Sequence, residues 1–226
     1  MHMLINSENI IDLDCFSINP SISIQEIDLG CTKVYTMDNF YEKFEHVHGE
    51  MLKLPFCPVH KSDNITHFDG RSSYAYSMTM TQCPLTTHYK HLVAQLAEVS
   101  VERVECKDRI LFNAFQFTTD WFDYQNNWYN IHNDASYSDS SNMISMVVFM
   151  NKHYEEGEGI NVYDYQNRDR YEFIEPRENF PPLFTLQAKP NRAILFNGHM
   201  PHGPCIGTDQ FTKETRYTQV AFATIQ

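Results

Sequence analysis

A chain of 226 residues can build one substantial hydrophobic core and is short for two, so a single domain over 1–226 is expected. A net charge of −12 without any run of Lys or Arg disfavours nucleic acid as a partner, because duplex binding relies on cationic patches that displace counterions from phosphates. With no uncharged apolar stretch of about 18 residues, no basic-then-apolar leader and six scattered cysteines lacking Cys-x-x-Cys, the expectation is a cytoplasmic protein with reduced thiols, no membrane partner and no zinc ribbon.

Residues 22–36 alternate apolar and polar around Gly30, which predicts a strand pair or a bent strand. Tyr41–Leu54 places Phe44, Val47, Met51 and Leu54 at helical spacing, with Asp38 or Asn39 as N-cap. A loop containing Pro55, Pro58 and Gly70 follows. His88–Val99 then reads as a second helix facing inward through Leu92, Val93, Leu96 and Val99, and the two helices would brace one side of a sheet.

From residue 109 the chain reads as short strands: Arg109–Thr118, Trp128–Asp134, Met143–Asn151, Ile160–Tyr165, Phe184–Ala188, Arg192–Asn197 and Arg216–Ile225. Seven or eight such strands predict a mainly β protein, a double-sheet jelly roll with N-terminal supporting helices. Gly157-Glu158-Gly159 predicts a tight turn. The Met-rich strand 143–150 reads as core packing and not as a copper site. The aromatic group Trp121, Phe122, Tyr124, Trp128 and Tyr129 either packs in the core or lines a substrate cleft.

Two segments carry the chemistry, His132-Asn133-Asp134 and the run Ile194–Pro204 that contains His202. Side chains alternate on a strand, so His132 and Asp134 would point the same way and hold one ion together. His202, at the end of a later apolar strand, would complete two imidazoles and a carboxylate on one face of the ion and leave the other face open, which suits ferrous iron. The motif needs context, because 11 His and 14 Asp generate a His-x-Asp about 0.7 times by composition alone. A second copy, His67-Phe68-Asp69, runs into the turn-like Gly70-Arg71-Ser72-Ser73. A near relative is His48-Gly49-Glu50. Only the His132 pair leads, after a polar loop, into a buried-strand pattern.

These residues resemble the Fe(II)- and 2-oxoglutarate-dependent oxygenases, a superfamily built on a double-stranded β-helix, over roughly residues 32–225. Val34–Phe40 is similar to the entry of prolyl-hydroxylase-like members. Ala193–Gly203 resembles the strand that leads to the distal histidine. Glu156-Gly157-Glu158-Gly159-Ile160 resembles the family's double-glycine turn, with Glu158 inserted between the glycines. The resemblance implies that His132, Asp134 and His202 bind iron; His199 is the rival distal ligand, and the following Gly203-Pro204 favours His202. It also implies that Arg216 anchors the far carboxylate of 2-oxoglutarate with Thr218 beside it, and Lys213 is the rival anchor. A planar guanidinium suits a carboxylate through two parallel hydrogen bonds. For the metal-proximal end of the cosubstrate Tyr129, Asn130 and Asn113 are candidates.

The implied activity is oxidative decarboxylation of 2-oxoglutarate to succinate, with O2 and with ascorbate as an auxiliary reductant, coupled to hydroxylation of a small molecule or peptide. A peptide or amino-acid substrate is favoured. Asp134 occupies the position that related halogenases leave open for chloride, which favours hydroxylation. The alternatives are a cupin-like metal enzyme that does not use 2-oxoglutarate and a non-catalytic jelly-roll binding module.

Overall fold

The alternation over 22–36 folds into an antiparallel hairpin of β1 (Ile24–Asp28) and β2 (Lys33–Met37). Gly30 lies in the connection at φ +80°, a conformation that favours a residue without Cβ. The structure, a computed structural model, describes residues 12–54, 56–58, 71–79, 84–117, 131–135, 142–164 and 181–226. The further strands are β3 (Cys57–Pro58), β4 (Arg71–Thr79), β5 (Val104–Phe117), β6 (Asn142–Phe149), β7 (Gly159–Val162), β8 (Phe184–Gln187), β9 (Ala193–Asn197), β10 (His202–Cys205) and β11 (Arg216–Ile225). They form an antiparallel eight-stranded sheet, β1-β2-β9-β6-β11-β5-β4-β3, and a three-stranded sheet, β10-β7-β8. The expected mainly β jelly roll is therefore observed.

Both faces of the large sheet are buried at its centre, so β6 and β9 are apolar on both faces along most of their length. On β6, Met146 and Val148 enter a core shared with the helices, whereas Val147 and Phe149 enter a second core between the two sheets. β9 alternates the same way, with Ala193 and Leu195 on the helix side and Ile194 and Phe196 inside. Ile160 and Val162 of β7 close the inner core from the small sheet. The methionines of β6 are core residues, as expected.

Helix α1 (Phe44–Leu52) buries Val47 and Met51, and α2 (Pro84–Leu96) buries Leu85, Tyr89, Leu92 and Val93 against the same side of the sheet. Three boundaries differ from the sequence reading. Lys43 precedes α1 without a side-chain cap, while the expected caps are used elsewhere: Asp38 pairs with Arg192, and Asn39 sits at φ 55°. α2 starts at Pro84, a residue suited to a first helical turn because it has no N–H to lose. It stops before Val99 because Glu98 turns left-handed at φ 54°; Glu98 N–H donates to Gln95 O and Val99 N–H to Ala94 O, a C-terminal motif usually marked by glycine.

The stretch Arg71-Ser72-Ser73, expected as a turn, begins strand β4. β10 carries no strand signal in the sequence because Gly203 and Pro204 read as breakers; it is an edge strand, where proline costs no ladder bond on the open side. Of the strand expected over Trp128–Asp134, residues 131–134 are described, and only His132 pairs, as an isolated bridge to His202. Residues 128–130, the aromatic group 121–129 and His67-Phe68-Asp69 lie outside the described residues. His48 and Glu50 stand on α1, where a spacing of two residues separates side chains around the axis. Among the described residues Cys31 and Cys106 are free thiols. No helix among the described residues is long and apolar enough to cross a membrane.

Candidate metal centre

β9 ends at Asn197, and its side chain shapes the next turn: Asn197 Oδ1 accepts from His199 N–H at 2.9 Å and its carbonyl accepts from Met200 N–H at 2.9 Å. Within this turn the Gly198 carbonyl accepts from the amides of both Asp134 and Ala135 at 3.0 Å. The turn is tight against β6, since a Cβ on Gly198 would lie 2.8 Å from Met143 Cε and 3.2 Å from Met143 Cβ. β10 then opens with His202, which exchanges both backbone hydrogen bonds with His132 at 2.9 and 3.0 Å.

This scaffold brings the expected ligands together. One ligand atom each from His132, Asp134 and His202 lie within 4.8 Å of one another, the one such group of potential metal ligands among the described residues. Asp134 Oδ1 is 3.7 Å from His132 Nε2, and Oδ2 is 3.5 Å from His202 Nε2. His199 occupies the turn and is not part of this convergence. The side chains grade from 5% exposed at His202 through 14% at Asp134 to 57% at His132, so the centre is backed by the core and open on one side.

The donor set fits a divalent metal. His202 Nδ1 lies 3.0 Å from the Met200 carbonyl, an oxygen that can only accept, so Nδ1 carries the proton and Nε2 presents a lone pair towards Asp134. Burial lowers the His202 pKa to about 4, with His132 adding to the fall and Asp134 opposing it, so the ring is neutral at physiological pH. A neutral imidazole is the form that ligates.

A cationic position lies in the same interior. By strand alternation Arg216, Thr218 and Val220 of β11 share the face turned towards the inner core, and Arg216 and Thr218 are 6% and 3% exposed. Arg216 Nη2 donates to the Gly159 carbonyl at 3.2 Å. Its Nε is buried without a hydrogen-bond partner among the described residues. Asn113 of β5 stands opposite Thr218 in the ladder and so belongs to the same face; Tyr129 and Asn130 lie outside the described residues. Lys213, the rival anchor, is 70% exposed on the short helix α3 (Gln210–Lys213) and is paired with Asp209 at 2.6 Å. It is not in the interior.

Two residues beside Arg216 were not singled out from sequence as site residues. Tyr154 is raised well above the ordinary phenol range by burial. Glu158 is 1% exposed; its Oε1 accepts from Thr208 Oγ1 at 2.6 Å and from Thr208 N–H at 3.0 Å. Its Oε2 has no hydrogen-bond partner among the described residues. The sequence signal for Glu158 was its insertion between the two glycines of the turn.

No protein-family profile and no curated protein matches the sequence. Solved structures do match. A prolyl-4-hydroxylase from Pseudomonas putida superposes with a TM-score of 0.51 at 12% identity, over 88% of this chain and 96% of that one. A 2OG-Fe(II) oxygenase-family oxidoreductase from Burkholderia pseudomallei gives 0.52 at 13% identity, over 84% of each chain. HygX from Streptomyces hygroscopicus, with nickel and 2-oxoglutarate bound, gives 0.53 at 12% identity over 85% and 83%. The fold is thus the jelly roll of the Fe(II)/2-oxoglutarate oxygenases. Prolyl-4-hydroxylases stand among the structures that share it, and at these identities the likeness is one of fold.

Proposed function

We propose that the protein is a non-haem iron dioxygenase, one domain over 1–226, that couples oxidative decarboxylation of 2-oxoglutarate to hydroxylation of a substrate. The observation that carries this reading is the convergence of His132, Asp134 and His202 at the mouth of a jelly roll whose interior holds the buried Arg216. His132, Asp134 and His202 would hold Fe(II), which when bound supplies the activation of O2 and the cleavage of the keto acid.

The chain's own groups do the placing. The Met200 carbonyl fixes the proton of His202 on Nδ1, which keeps the metal-facing nitrogen unprotonated through the cycle. Asp134 faces one histidine with each carboxylate oxygen. Arg216 offers an unpaired N–H to the distal carboxylate of 2-oxoglutarate, with the Thr218 hydroxyl on the same face, and a charge-assisted bond there gains from the dry surroundings. Val147, Phe149, Ile160 and Phe196 keep the interior apolar. A carboxylate at position 134 leaves no room for a halide ligand in the protein's set, which supports hydroxylation. A peptide or amino-acid substrate is favoured by the prolyl-hydroxylase-like resemblance.

The test is succinate release from 2-oxoglutarate with Fe(II), O2 and ascorbate. Metal-dependent release that is lost in Asp134→Ala supports the reading; metal binding without any succinate, across peptide and small-molecule candidates, would leave a metalloenzyme of another kind or a binding module.

A further inference from the structure

Arg216 and Glu158 are opposite charges enclosed in one dry end of the inner core, and neither is fully matched. Arg216 Nε and Glu158 Oε2 are both buried without hydrogen-bond partners among the described residues. The two side chains make no ion pair within 4.0 Å, yet their fields act on each other, and Arg216 is bonded to the carbonyl of Gly159, the residue next to Glu158. A buried charge is tolerated only when compensated. In this chain Arg216 and Glu158 compensate each other at a distance.

That arrangement has a consequence for any anion that pairs with Arg216. If a second carboxylate takes the guanidinium, the ionised Glu158 loses its counter-charge and meets a like charge in a low-dielectric site. Neutral Glu158 removes both penalties. Burial already raises the Glu158 pKa against the Thr208 hydrogen bonds and the Arg216 charge that hold it down. The other charged group facing it is Glu155, from the preceding turn, which also favours the protonated form. Tyr154 and Cys205 face Arg216.

We propose that Glu158 is a positioning and specificity-determining residue of the Arg216 site, and that a dicarboxylate enters with uptake of one proton onto the Glu158 carboxyl. The proposal rests on the reading of Arg216 as the anchor of 2-oxoglutarate. The balance is simple: guanidinium and carboxylate before binding, then guanidinium, ligand carboxylate and carboxylic acid after it, the proton coming from solvent. Above the pKa of Glu158 in the free protein, affinity for the dicarboxylate falls about tenfold per pH unit, because one proton is linked to binding. A monocarboxylic keto acid lacks the distal charge and escapes this linkage.

The experiment is isothermal titration calorimetry of the Ni(II)-loaded protein with 2-oxoglutarate and with pyruvate, in two buffers of different ionisation enthalpy, between pH 6 and 8. The unmodified protein is expected to take up a larger fraction of a proton with 2-oxoglutarate than with pyruvate. In Glu158→Gln, which keeps an acceptor for Thr208, that difference should vanish and 2-oxoglutarate affinity should become flatter with pH and tighter at pH 8. Equal proton uptake for the two keto acids by the unmodified protein overturns the proposal without any variant. Arg216→Ala separates the two layers: if it leaves 2-oxoglutarate affinity unchanged, the anchor reading itself fails; if it weakens binding while the unmodified protein and Glu158→Gln titrate alike, only the role of Glu158 fails.

Discussion

His132 and His202, far apart in the chain, face each other as a hydrogen-bonded pair, each amide donating to the other's carbonyl at 2.9 and 3.0 Å, with ring centroids 4.4 Å apart. Residues directly opposite in an antiparallel pair project to the same side. Backbone bonds therefore place the two imidazoles opposite each other on one side of the bridge.

Replacing His132, Asp134 or His202 by Ala should each remove tight divalent-metal binding, since a two-ligand remnant of this face holds a metal poorly. His199→Ala should retain it. Titration with Co(II) followed by its visible absorption checks both statements, and loss of binding in His199→Ala alone would reassign the distal ligand.

Arg216→Ala should raise the apparent constant for 2-oxoglutarate roughly 10- to 150-fold, the equivalent of about 1.5–3 kcal/mol for a charge-assisted pair. Metal affinity should be nearly unchanged. Arg216→Lys should recover part of the loss, because an ammonium keeps the charge but not the planar fork. The readout is a 2-oxoglutarate titration of the metal-loaded variants.

Gly159→Ala should destabilise the protein by about 3 kcal/mol, the upper end of overpacking costs. Its Cβ would lie 2.0 Å from the Leu186 carbonyl oxygen, so β8 must move away from β7, and the Gly159 carbonyl held by Arg216 moves with it. Gly30→Ala meets open space and bears only the cost of a positive φ, about 1 kcal/mol. Urea denaturation of the two variants should rank them in that order.

Asp38→Asn should destabilise at pH 7 by less than about 1 kcal/mol, because the carboxylate is half exposed and solvent screens its pair with Arg192. Hydrogen bonding to Arg192 lowers the Asp38 pKa below 3.8, partial burial opposing it and Lys189 assisting. A depressed folded-state pKa means the contribution is present above the unfolded value near 3.8 and is lost as pH falls through the lower folded value. The gap between the unmodified protein and Asp38→Asn in urea should therefore close at the acidic end.

The sequence by itself determined the central strands β6 and β9, because both are buried on both faces and read as nearly continuous apolar runs, broken in β6 by Ser145. It also supplied the residues that the proposed site uses: two histidines and a carboxylate around apolar strands, and an arginine at the head of the last one. Strand alternation accounts for only half of the pairing of His132 with Asp134. His132 is held by an isolated bridge to His202, but Asp134 lies beyond it and is held through its amide by the Gly198 carbonyl, a contact between distant segments that no local period encodes. β4 and β10 are not marked locally for a related reason, since serines, glycine and proline carry no strand signal until a neighbouring strand supplies their hydrogen bonds. The end of α2 depended on a left-handed Glu98 where sequence gives no glycine to mark it. Only the tertiary structure separates the surroundings of Arg216 and Lys213, because burial is a property of position: Arg216 is enclosed beside Glu158, whereas Lys213 is exposed and paired with Asp209.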